Sequence, residues 1–501
     1  TGAMHGTDPT LMKETIDKYT AHFVEVFEAT DNRIKELFLE PTAKDEDPQN
    51  FVMTKLKLQC FEIFQAFDKE AQEGLMSAID ELVMADGSAH PAELKFRAEL
   101  AELLSGEHEI ELVEENPEVA RVSIAEPRRT KATGATHPFF DPTELPYSED
   151  PAVIERQVQA DIELIRKART ILAEQQEAGE GKLAGKRSMA ELDDGPTFLD
   201  GHVYVVPRNE KKRYELLVLG DLHGCYSVLK AAVMQSQFFA KVDAWRADPE
   251  KHPEPKLVLL GDYIDRGLFS LNGVLRAVLQ LFVTAPDHVY VLRGNHEYFV
   301  EFKGNVYGGV KPAEGIDAVK PYVSVDVLRE YIAFFEAMPN MLLFDRTLFV
   351  HGGAPRDRTL KERWKDLSSL NDPDLRFQMM WSDPSKADVV PSDLQDKSAR
   401  FSFGKLQARS FLQRLGVTTM VRGHEKVNSG FVESIGDEQV KVFTLFSSGG
   451  ATNEDLPADS SYRSVTPMAL TVTTDENGMQ IHPWAPDYAT YNAPDKNGFF
   501  R

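Results

Sequence analysis

The stretch Leu216–Gly224, Leu-Leu-Val-Leu-Gly-Asp-Leu-His-Gly, decides the fold of this chain. Its apolar half is typical of a buried strand, and its polar half places Asp221 and His223 at the carboxyl end of that strand. Residues at positions i and i+2 of an extended strand exit point the same way, so these two side chains can reach one ion together. The stretch therefore predicts a metal-binding pair at the end of a buried strand.

Later parts of the chain repeat this arrangement. Three further apolar runs, Leu257 to Leu260, Val289 to Leu292 and Leu348 to Val350, also end in Gly or His blocks. The later polar blocks are Gly261-Asp262-Tyr263-Ile264-Asp265-Arg266-Gly267, Gly294-Asn295-His296-Glu297, His351-Gly352-Gly353 and Arg422-Gly423-His424. Asp, Asn and His side chains supply the oxygen and nitrogen donors that suit Mn, Fe or Zn. The blocks predict a centre of two metals in which one carboxylate bridges.

In this order the blocks resemble those of the PPP-type serine/threonine phosphatases, within the calcineurin-like metallophosphoesterase superfamily. Trp381-Ser382-Asp383-Pro384 and Arg400 before Phe403-Gly404 match as well. The resemblance runs from about Tyr214 to about Thr473. It implies an α/β fold, a β-sandwich flanked by helices, here preceded by an all-α N-terminal region. It also implies a phosphoric monoester hydrolase in which a metal-bound hydroxide attacks phosphorus directly.

The resemblance assigns metal ligands residue by residue. One metal is expected between the first-block residues, and the other between residues of the later blocks, with Asp262 bridging the two. The implied ligands are Asp221, His223, Asp262, Asn295, His351 and His424.

The resemblance also assigns the catalytic groups. His296 is the expected general acid, which protonates the leaving alkoxide, and Asp265 orients it and stabilises its charged form. Arg266 and Arg400 are expected to hold the phosphate oxygens, because a guanidinium matches phosphate geometry and stabilises the charge of the transition state. Asn295 is expected to contact the substrate in addition to its metal.

One segment departs from the eukaryotic pattern. The eukaryotic members carry Pro-Asn-Tyr after a Phe-Ser pair, and that tyrosine contacts the substrate. This chain has Phe446-Ser447-Ser448-Gly449-Gly450 instead. The Gly-Gly version is similar to bacterial relatives, so the chain is predicted to be of bacterial type. Substrate class and inhibitor sensitivity do not follow from the resemblance.

Three functions remain open from the sequence. A phosphoprotein phosphatase is the first. A hydrolase of small phosphoesters, such as dinucleoside polyphosphates, is the second, since Gly220–Tyr226 also resembles that branch of the superfamily. The third is a catalytically silent scaffold that keeps the blocks for folding. Fold alone cannot separate the first two.

The remainder of the chain predicts four regions. Residues 1–106 are expected to form a helical domain, and Met84–Glu93 resembles the acidic turn of TerB-like domains. A glycine helix stop followed by a Ser or His cap and a first-turn proline explains the same residues. Residues 107–190 are predicted as a connector, with short strands at 109–113 and 119–124, a helix at 151–176 and a flexible joint at 179–186. Residues 191–480 are the predicted catalytic domain, and residues 481–501 a tail.

Composition limits the partners. The formal net charge is -24, which disfavours a nucleic acid or an anionic membrane as the main partner. Cys60 and Cys225 are the only cysteines, and the sequence has no stretch of eighteen uncharged apolar residues, so a cytoplasmic protein is expected. The expected partners are a phosphorylated protein or small phosphoester, and a protein that binds the N-terminal helices.

Overall fold

The structure is a computed structural model that describes residues 9–40, 42–43, 46–85, 88–106, 122–475 and 478–501. Its α-helices within these residues are α1 (Pro9–Leu39), α2 (Pro48–Phe64), α3 (Lys69–Val83), α4 (Pro91–Ser105), α5 (Pro151–Gly179), α6 (Tyr226–Gln235), α7 (Phe238–Ala247), α8 (Arg276–Thr284), α9 (Glu314–Val319), α10 (Val325–Ala337), α11 (Asp357–Arg363), α12 (Pro373–Trp381), α13 (Ser392–Gln395) and α14 (Lys405–Leu415).

The strands in chain order are β1 (Thr42–Ala43), β2 (Val122–Ile124), β3 (Arg128–Arg129), β4 (Phe198–Asp200), β5 (Val203–Val206), β6 (Tyr214–Leu219), β7 (Glu254–Leu259), β8 (Val289–Val291), β9 (Phe299–Phe302), β10 (Asn305–Gly308), β11 (Val310–Lys311), β12 (Met341–Phe344), β13 (Thr347–Val350), β14 (Asp383–Pro384), β15 (Ser402–Phe403), β16 (Thr419–Arg422), β17 (Phe431–Gly436), β18 (Lys441–Leu445), β19 (Ala469–Asp475) and β20 (Gly478–Ala485).

Most of these strands form two mixed sheets. The first has the order β2-β20-β19-β6-β7-β8, with β3 also paired to β20. The second has the order β17-β18-β16-β13-β12-β5-β4. Within the first sheet β6, β7 and β8 run parallel, and within the second β13, β16 and β18 run parallel. Each of the four apolar runs identified in the sequence lies largely within one of these strands, as predicted.

Apolar side chains of the two sheets share one core, so the sheets form a sandwich. Val218 and Val258 from the first sheet belong to the same buried cluster as Val421 and Phe443 from the second. On the outer face of the second sheet, a separate cluster joins strand residues such as Leu343 to residues of α12 and α14. The predicted α/β class, a sandwich flanked by helices, is confirmed.

The helix α5 begins as its sequence predicts and packs against the sandwich. The Asp150 carboxylate caps its N-terminus by accepting from the backbone N–H of Ala152, and Pro151 occupies the first turn. Its apolar stripe, which includes Ile165 and Leu172, is buried in the core of the sandwich. This burial accounts for the length of a helix whose exposed face is strongly charged.

The expectation of a flexible joint after α5 is wrong. Gly179 lies so close to the next strand that an added Cβ would be 2.0 Å from the Leu199 carbonyl oxygen. Leu183 is buried, and its backbone N–H donates to Asp200 Oδ2 at 2.8 Å. Gly179 therefore permits close packing, and Gly181 and Gly185, each with a φ of 75°, permit turns, which the sequence pattern does not distinguish from flexibility.

Contacts also cross the other predicted boundaries. The strands β2 and β3, from the predicted connector, pair with β20, and β20 itself extends from residue 478 to residue 485. The C-terminal tail packs against the catalytic region, with Tyr491 and Asn497 buried. The Ser227 hydroxyl donates to the Tyr491 carbonyl at 3.2 Å. The predicted strand at 109–113 and residues 119–121 lie outside the described residues. The division into four regions remains a prediction.

The N-terminal region is helical, as predicted. His90 caps α4 by accepting from Ala92 N–H at 3.2 Å, with Pro91 in the first turn, which agrees with the capping explanation of this segment. Asp86 and Gly87, which belong to the TerB-like acidic turn, lie outside the described residues, so that resemblance remains a prediction. Val26 and Phe27 are exposed because α1 packs by its C-terminal part, around Leu37.

Residues 301–322 are rich in Gly and Pro but contain regular structure. The strands β9 and β10 form an antiparallel hairpin, and β11 and the short helix α9 follow. Gly304, with a positive φ of 74°, lies in the turn between β9 and β10. Across the described part of the chain, none of the helices is both long enough and apolar enough to span a membrane.

We predict that Asp161→Asn lowers the free energy of unfolding of the catalytic region by about 3 to 5 kcal/mol. Asp161 on α5 accepts from Arg276 Nε at 2.7 Å and from Nη2 at 2.8 Å, and both side chains are buried. The substitution leaves a buried guanidinium without its carboxylate. Chemical denaturation measures the change, with Glu155→Gln on the exposed face of α5 as the control. Equal stabilities of the two variants would show that α5 is not part of the catalytic folding unit.

Candidate metal centre

The strands of both sheets deliver the predicted ligands to one edge of the sandwich. In the first sheet, β6, β7 and β8 lead into the blocks that contain Asp221, Asp262 and Asn295. In the second sheet, His351 follows β13 and His424 lies two residues after β16. An isolated bridge between Asp221 and Phe446 joins the two sheets at this edge. All six predicted ligands are buried and lie in one cluster.

The backbone around the cluster is unusual. His223, Asp262 and His424 have positive φ values of 42°, 55° and 68°, which side chains other than glycine rarely adopt. Glycines next to them permit close approach: a Cβ on Gly294 would lie 2.2 Å from Asp262 Oδ1, and one on Gly423 would lie 2.3 Å from Asp221 Oδ1. Strain of this kind persists only where surrounding contacts determine it, and it is typical of functional sites.

Asp262 lies between two groups of donors. Its Oδ2 atom is 3.5 Å from His223 Nε2, and its Oδ1 atom is 3.4 Å from His351 Nε2. Asp262 thus belongs both to a group with His223 and His296 and to a group with His351 and His424, each with donor atoms within 4.8 Å of one another. This arrangement can hold two cations with the Asp262 carboxylate between them.

The second group of donors converges on a small space. Asn295 Oδ1 is 2.8 Å from His351 Nε2 and 2.9 Å from His424 Nδ1, and these two ring nitrogens are 3.2 Å apart. In the suitable tautomers the two ring nitrogens and the amide oxygen present three lone pairs to one cation. Beside the first group, Asp221 Oδ2 lies 3.8 Å from His223 Nε2 and is buried without a hydrogen-bond partner. The residues therefore fit a centre of two metals.

Backbone carbonyls orient two of the histidines for metal binding. His223 Nδ1 lies 2.8 Å from the Ile264 carbonyl oxygen, and His351 Nδ1 lies 3.1 Å from the Leu260 carbonyl oxygen. An Nδ1–H that donates to a carbonyl leaves the Nε2 lone pair free for a metal. Burial lowers the pKa of both side chains well below the ordinary histidine value, so both rings are neutral.

The carboxylates of the cluster repel one another and are cut off from water. Burial raises the pKa of Asp221 to about 7, and burial together with the charge of Asp221 raises the pKa of Asp262 well above its ordinary value. Bound cations would offset both effects. Glu297, to which the sequence analysis gave no role, fixes the bridging residue: its carboxylate accepts from the backbone N–H groups of Asp262, Tyr263 and Gly294 at 2.8, 2.8 and 3.0 Å.

His296 lies beside the donors with one ring nitrogen anchored. Its Nδ1 atom is 2.6 Å from Asp265 Oδ2, and Asp265 Oδ1 accepts from the Gly315 backbone N–H at 2.7 Å. Its Nε2 atom is buried without a hydrogen-bond partner, 3.9 Å from Asp262 Oδ2. Burial, followed by the charges of Arg266 and Arg400, lowers the pKa of His296. The geometry pairs His296 with Asp265, as the sequence led us to expect, and leaves Nε2 facing the centre.

The two arginines predicted to bind phosphate are held by different neighbouring residues. Arg266 Nη1 donates to the Pro312 carbonyl at 3.2 Å and to Glu314 at 3.1 Å, while its Nη2 is buried without a partner. Arg400 is buried, and its Nε donates to Asp383 Oδ2 at 2.7 Å. Both guanidinium groups are near enough to the centre to lower the pKa of His296.

Two further residues at the centre had no role in the sequence analysis. Asp383 accepts from Arg400 and, through Oδ1, from Arg422 Nη2 at 3.1 Å, so it holds both guanidinium groups in place. Its position in the Trp-Ser-Asp-Pro match was the available signal. The ring of Tyr462 lies 5.5 Å from that of His223. Tyr462 belongs to a short 3₁₀ helix far from the recognised blocks, and nothing in the sequence pattern pointed to it.

Comparison with known proteins agrees with this geometry. Residues 214–428 match the family model for calcineurin-like phosphoesterases. A probable serine/threonine-protein phosphatase of Encephalitozoon cuniculi is 28% identical over 260 residues, which cover 50% of this chain and 51% of that protein. The chain thus spans about half the length of this curated relative.

Two kinds of solved structure are also similar. A serine/threonine phosphatase from Saccharomyces cerevisiae, with similarity to human phosphatase PP5, is 18% identical, covers 66% of this chain and 90% of its own, and has a TM-score of 0.41. A cold-active protein-tyrosine phosphatase of a psychrophile, Shewanella sp., is 17% identical, covers 56% and 82%, and has a TM-score of 0.31. At these values neither likeness informs on function.

The match to the family model covers the strands β6 to β16, which deliver all six clustered donors to the edge of the sandwich. The chain therefore contains a calcineurin-like metallophosphoesterase domain.

Proposed function

We propose that this protein is a phosphoprotein phosphatase that hydrolyses phosphoserine and phosphothreonine with two bound metal ions. The observation that carries the proposal is the position of Asp262, with one carboxylate oxygen 3.5 Å from His223 Nε2 and the other 3.4 Å from His351 Nε2. The donors contain nitrogen and oxygen and no sulfur, which supports Mn, Fe or Zn. The proposed setting is the cytoplasm.

The chain's own residues would hold the proposed metals in two groups around Asp262. Asp221 and His223 serve one site, and Asn295, His351 and His424 serve the other. Two cations at such a centre supply Lewis-acid activation of water and neutralise phosphate charge. The Glu297 carboxylate keeps Asp262 in its strained conformation through three backbone hydrogen bonds, so the spacing between the sites is set before substrate arrives.

His296 is the proposed general acid. Its free Nε2 faces the centre, and Asp265 holds Nδ1 at 2.6 Å. The lowered pKa of the free site disfavours a protonated ring, because burial and two guanidinium groups oppose it. A bound phosphate dianion carries charge of the opposite sign and engages those guanidinium groups, which offsets their effect on the pKa of His296.

Arg266 and Arg400 are the proposed phosphate ligands, and Asn295 is proposed to contact substrate from the metal side. The unpartnered Nη2 of Arg266 supports its role, since a buried guanidinium nitrogen without an acceptor is costly. The relative from Encephalitozoon cuniculi supports a protein substrate only through its own name. A panel of phosphopeptides, aryl phosphates and dinucleoside polyphosphates, assayed with added Mn, tests the substrate class. Cleavage of dinucleoside polyphosphates alone would overturn the protein-phosphatase proposal.

We predict two metal ions per chain in the active protein and a loss of metal in the Asp262→Asn variant. The amide lacks the second anionic oxygen that a bridging ligand needs, so both sites weaken. Elemental analysis after dialysis measures the ion content. Asp265→Asn is the matched control, because Asp265 lies in the same block and contacts His296 but is not among the six proposed ligands. One ion or none in the unaltered protein would contradict the two-metal centre.

We predict that His296→Asn keeps its metals but lowers turnover of phosphoserine peptides by about 10² to 10⁴. The loss should be smaller on aryl phosphates, because their leaving groups are weak bases that gain little from a proton. Steady-state kinetics on both substrates, together with elemental analysis, measures the difference. His296 shares a donor group with His223 and Asp262, so metal loss would make it a ligand. Equal losses on both substrates would show that it positions phosphate instead.

A further inference from the structure

The N-terminal region contacts the segments that hold the two arginines predicted to bind phosphate. The strand β1 pairs with β11, placing Thr42 opposite Lys311 and Ala43 opposite Val310. The carbonyl of Pro312, which follows β11, accepts from Arg266. Ala43 also packs against the buried cluster of Val310, Met380 and Trp381, and the Trp381 ring lies 5.8 Å from that of His424. Thr42 and Ala43 therefore pack against segments that contact the candidate metal centre.

The helix α2 packs on the segment that leads to Arg400. Its Leu58 and Phe61 form a buried cluster with Ala387, Val390 and Leu394. Polar contacts run along the same segment and are made by three N-terminal side chains: Glu62 Oε1 accepts from Ser385 Oγ at 2.5 Å, Asn50 Nδ2 donates to the Lys397 carbonyl at 2.8 Å, and Glu46 Oε1 accepts from Ala399 N–H at 3.1 Å. These contacts make the interface specific.

Two charged residues of the N-terminal region reach the rim of the site itself. Lys55 Nζ lies 3.2 Å from Asp383 Oδ2, and both side chains are largely buried. Glu40 Oε2 lies 3.6 Å from Arg400 Nη1. Arg400 is thus flanked by two carboxylates, that of Asp383 at Nε and that of Glu40 at Nη1. The second carboxylate belongs to no recognised catalytic block.

We propose that Glu40 determines the affinity of the catalytic site for phosphate by competing with the substrate for Arg400. The proposal rests on the phosphate-binding role of Arg400 given under the proposed function. The edge of the Arg400 guanidinium that carries Nη1 faces the Glu40 carboxylate, and one edge pairs with one anion at a time with good geometry, so Glu40 acts as an internal anion at this edge. Phosphate binding at Nη1 requires Glu40 to leave.

The surroundings permit Glu40 to leave and keep Asp383 in place. Glu40 retains a quarter of its side-chain exposure, and its other oxygen lies 3.4 Å from Arg33 Nη2, which can retain the carboxylate after displacement. Asp383 is buried and has two further cationic partners, Lys55 and Arg422, so it is not displaced as easily. Glu40 is therefore the member of the pair that yields to an incoming phosphate.

The experiment compares Glu40→Gln with Glu36→Gln in the full chain. Both substitutions remove one negative charge from the same part of the chain and from the same partner, since Glu36 Oε2 lies 3.3 Å from Arg33 Nη1. Glu36 has no contact with Arg400 among the ion pairs of the described residues. We expect Glu40→Gln to lower both the KM for a phosphopeptide and the inhibition constant of inorganic phosphate by about three- to tenfold. Glu36→Gln should leave both constants unchanged.

A double-mutant cycle and a binding measurement complete the test. In an Arg400→Ala background, Glu40→Gln should no longer change the affinity for phosphate, because the guanidinium for which Glu40 competes is absent. Calorimetric binding of inorganic phosphate to the metal-loaded protein gives a readout that does not depend on turnover. Tighter phosphate binding by Glu40→Gln in a chain that cleaves no phosphoester would support this inference and reject the proposed function. An active protein in which Glu40→Gln and Glu36→Gln behave alike would reject the inference alone.

Discussion

The candidate centre depends on the packing of two sheets against each other. Asp262 comes from the first sheet and His351 from the second, and their ligand atoms are 3.4 Å apart. His424, also from the second sheet, donates its backbone N–H to Asp221 Oδ1 of the first at 2.9 Å. A small shift between the sheets would separate these atoms. The apolar core that the sheets share therefore fixes the chemistry as well as the fold.

The same edge of the sandwich contains several energetically unfavourable features. Several carboxylates are buried together, and His223, Asp262, Asp265, Arg266 and His424 all have positive φ values. Strained residues cost on the order of 1 to 3 kcal/mol each. Interactions that do not touch substrate offset part of this cost, above all the three backbone hydrogen bonds to Glu297. The contacts that stabilise this edge of the sandwich therefore also hold the candidate site in its strained conformation.

Much of the sandwich could be predicted because its signals are local. An apolar run followed by Gly-Asp or Gly-Asn marks a strand and its terminal ligand, as at β6, β7 and β8, and Asp150-Pro151 marks the start of α5. Tyr462 and Glu40 could not be found this way, because only the tertiary fold brings a 3₁₀ helix and an N-terminal residue to the centre. The error at residues 179–186 has the same origin: Gly179 is required by the nearby Leu199 carbonyl, and glycine alone indicates flexibility equally well.

The order of strands in the first sheet has a consequence for synthesis of the chain. The strand β6, which carries the first metal block, pairs with β19, so that Leu219 lies opposite Ala469. About 250 further residues must leave the ribosome before this edge is covered, which takes roughly 10 to 50 seconds at ordinary elongation rates. During that time an apolar strand edge is open to other chains. The long sequence separation between β6 and β19 therefore extends the time during which this edge can pair with the wrong partner.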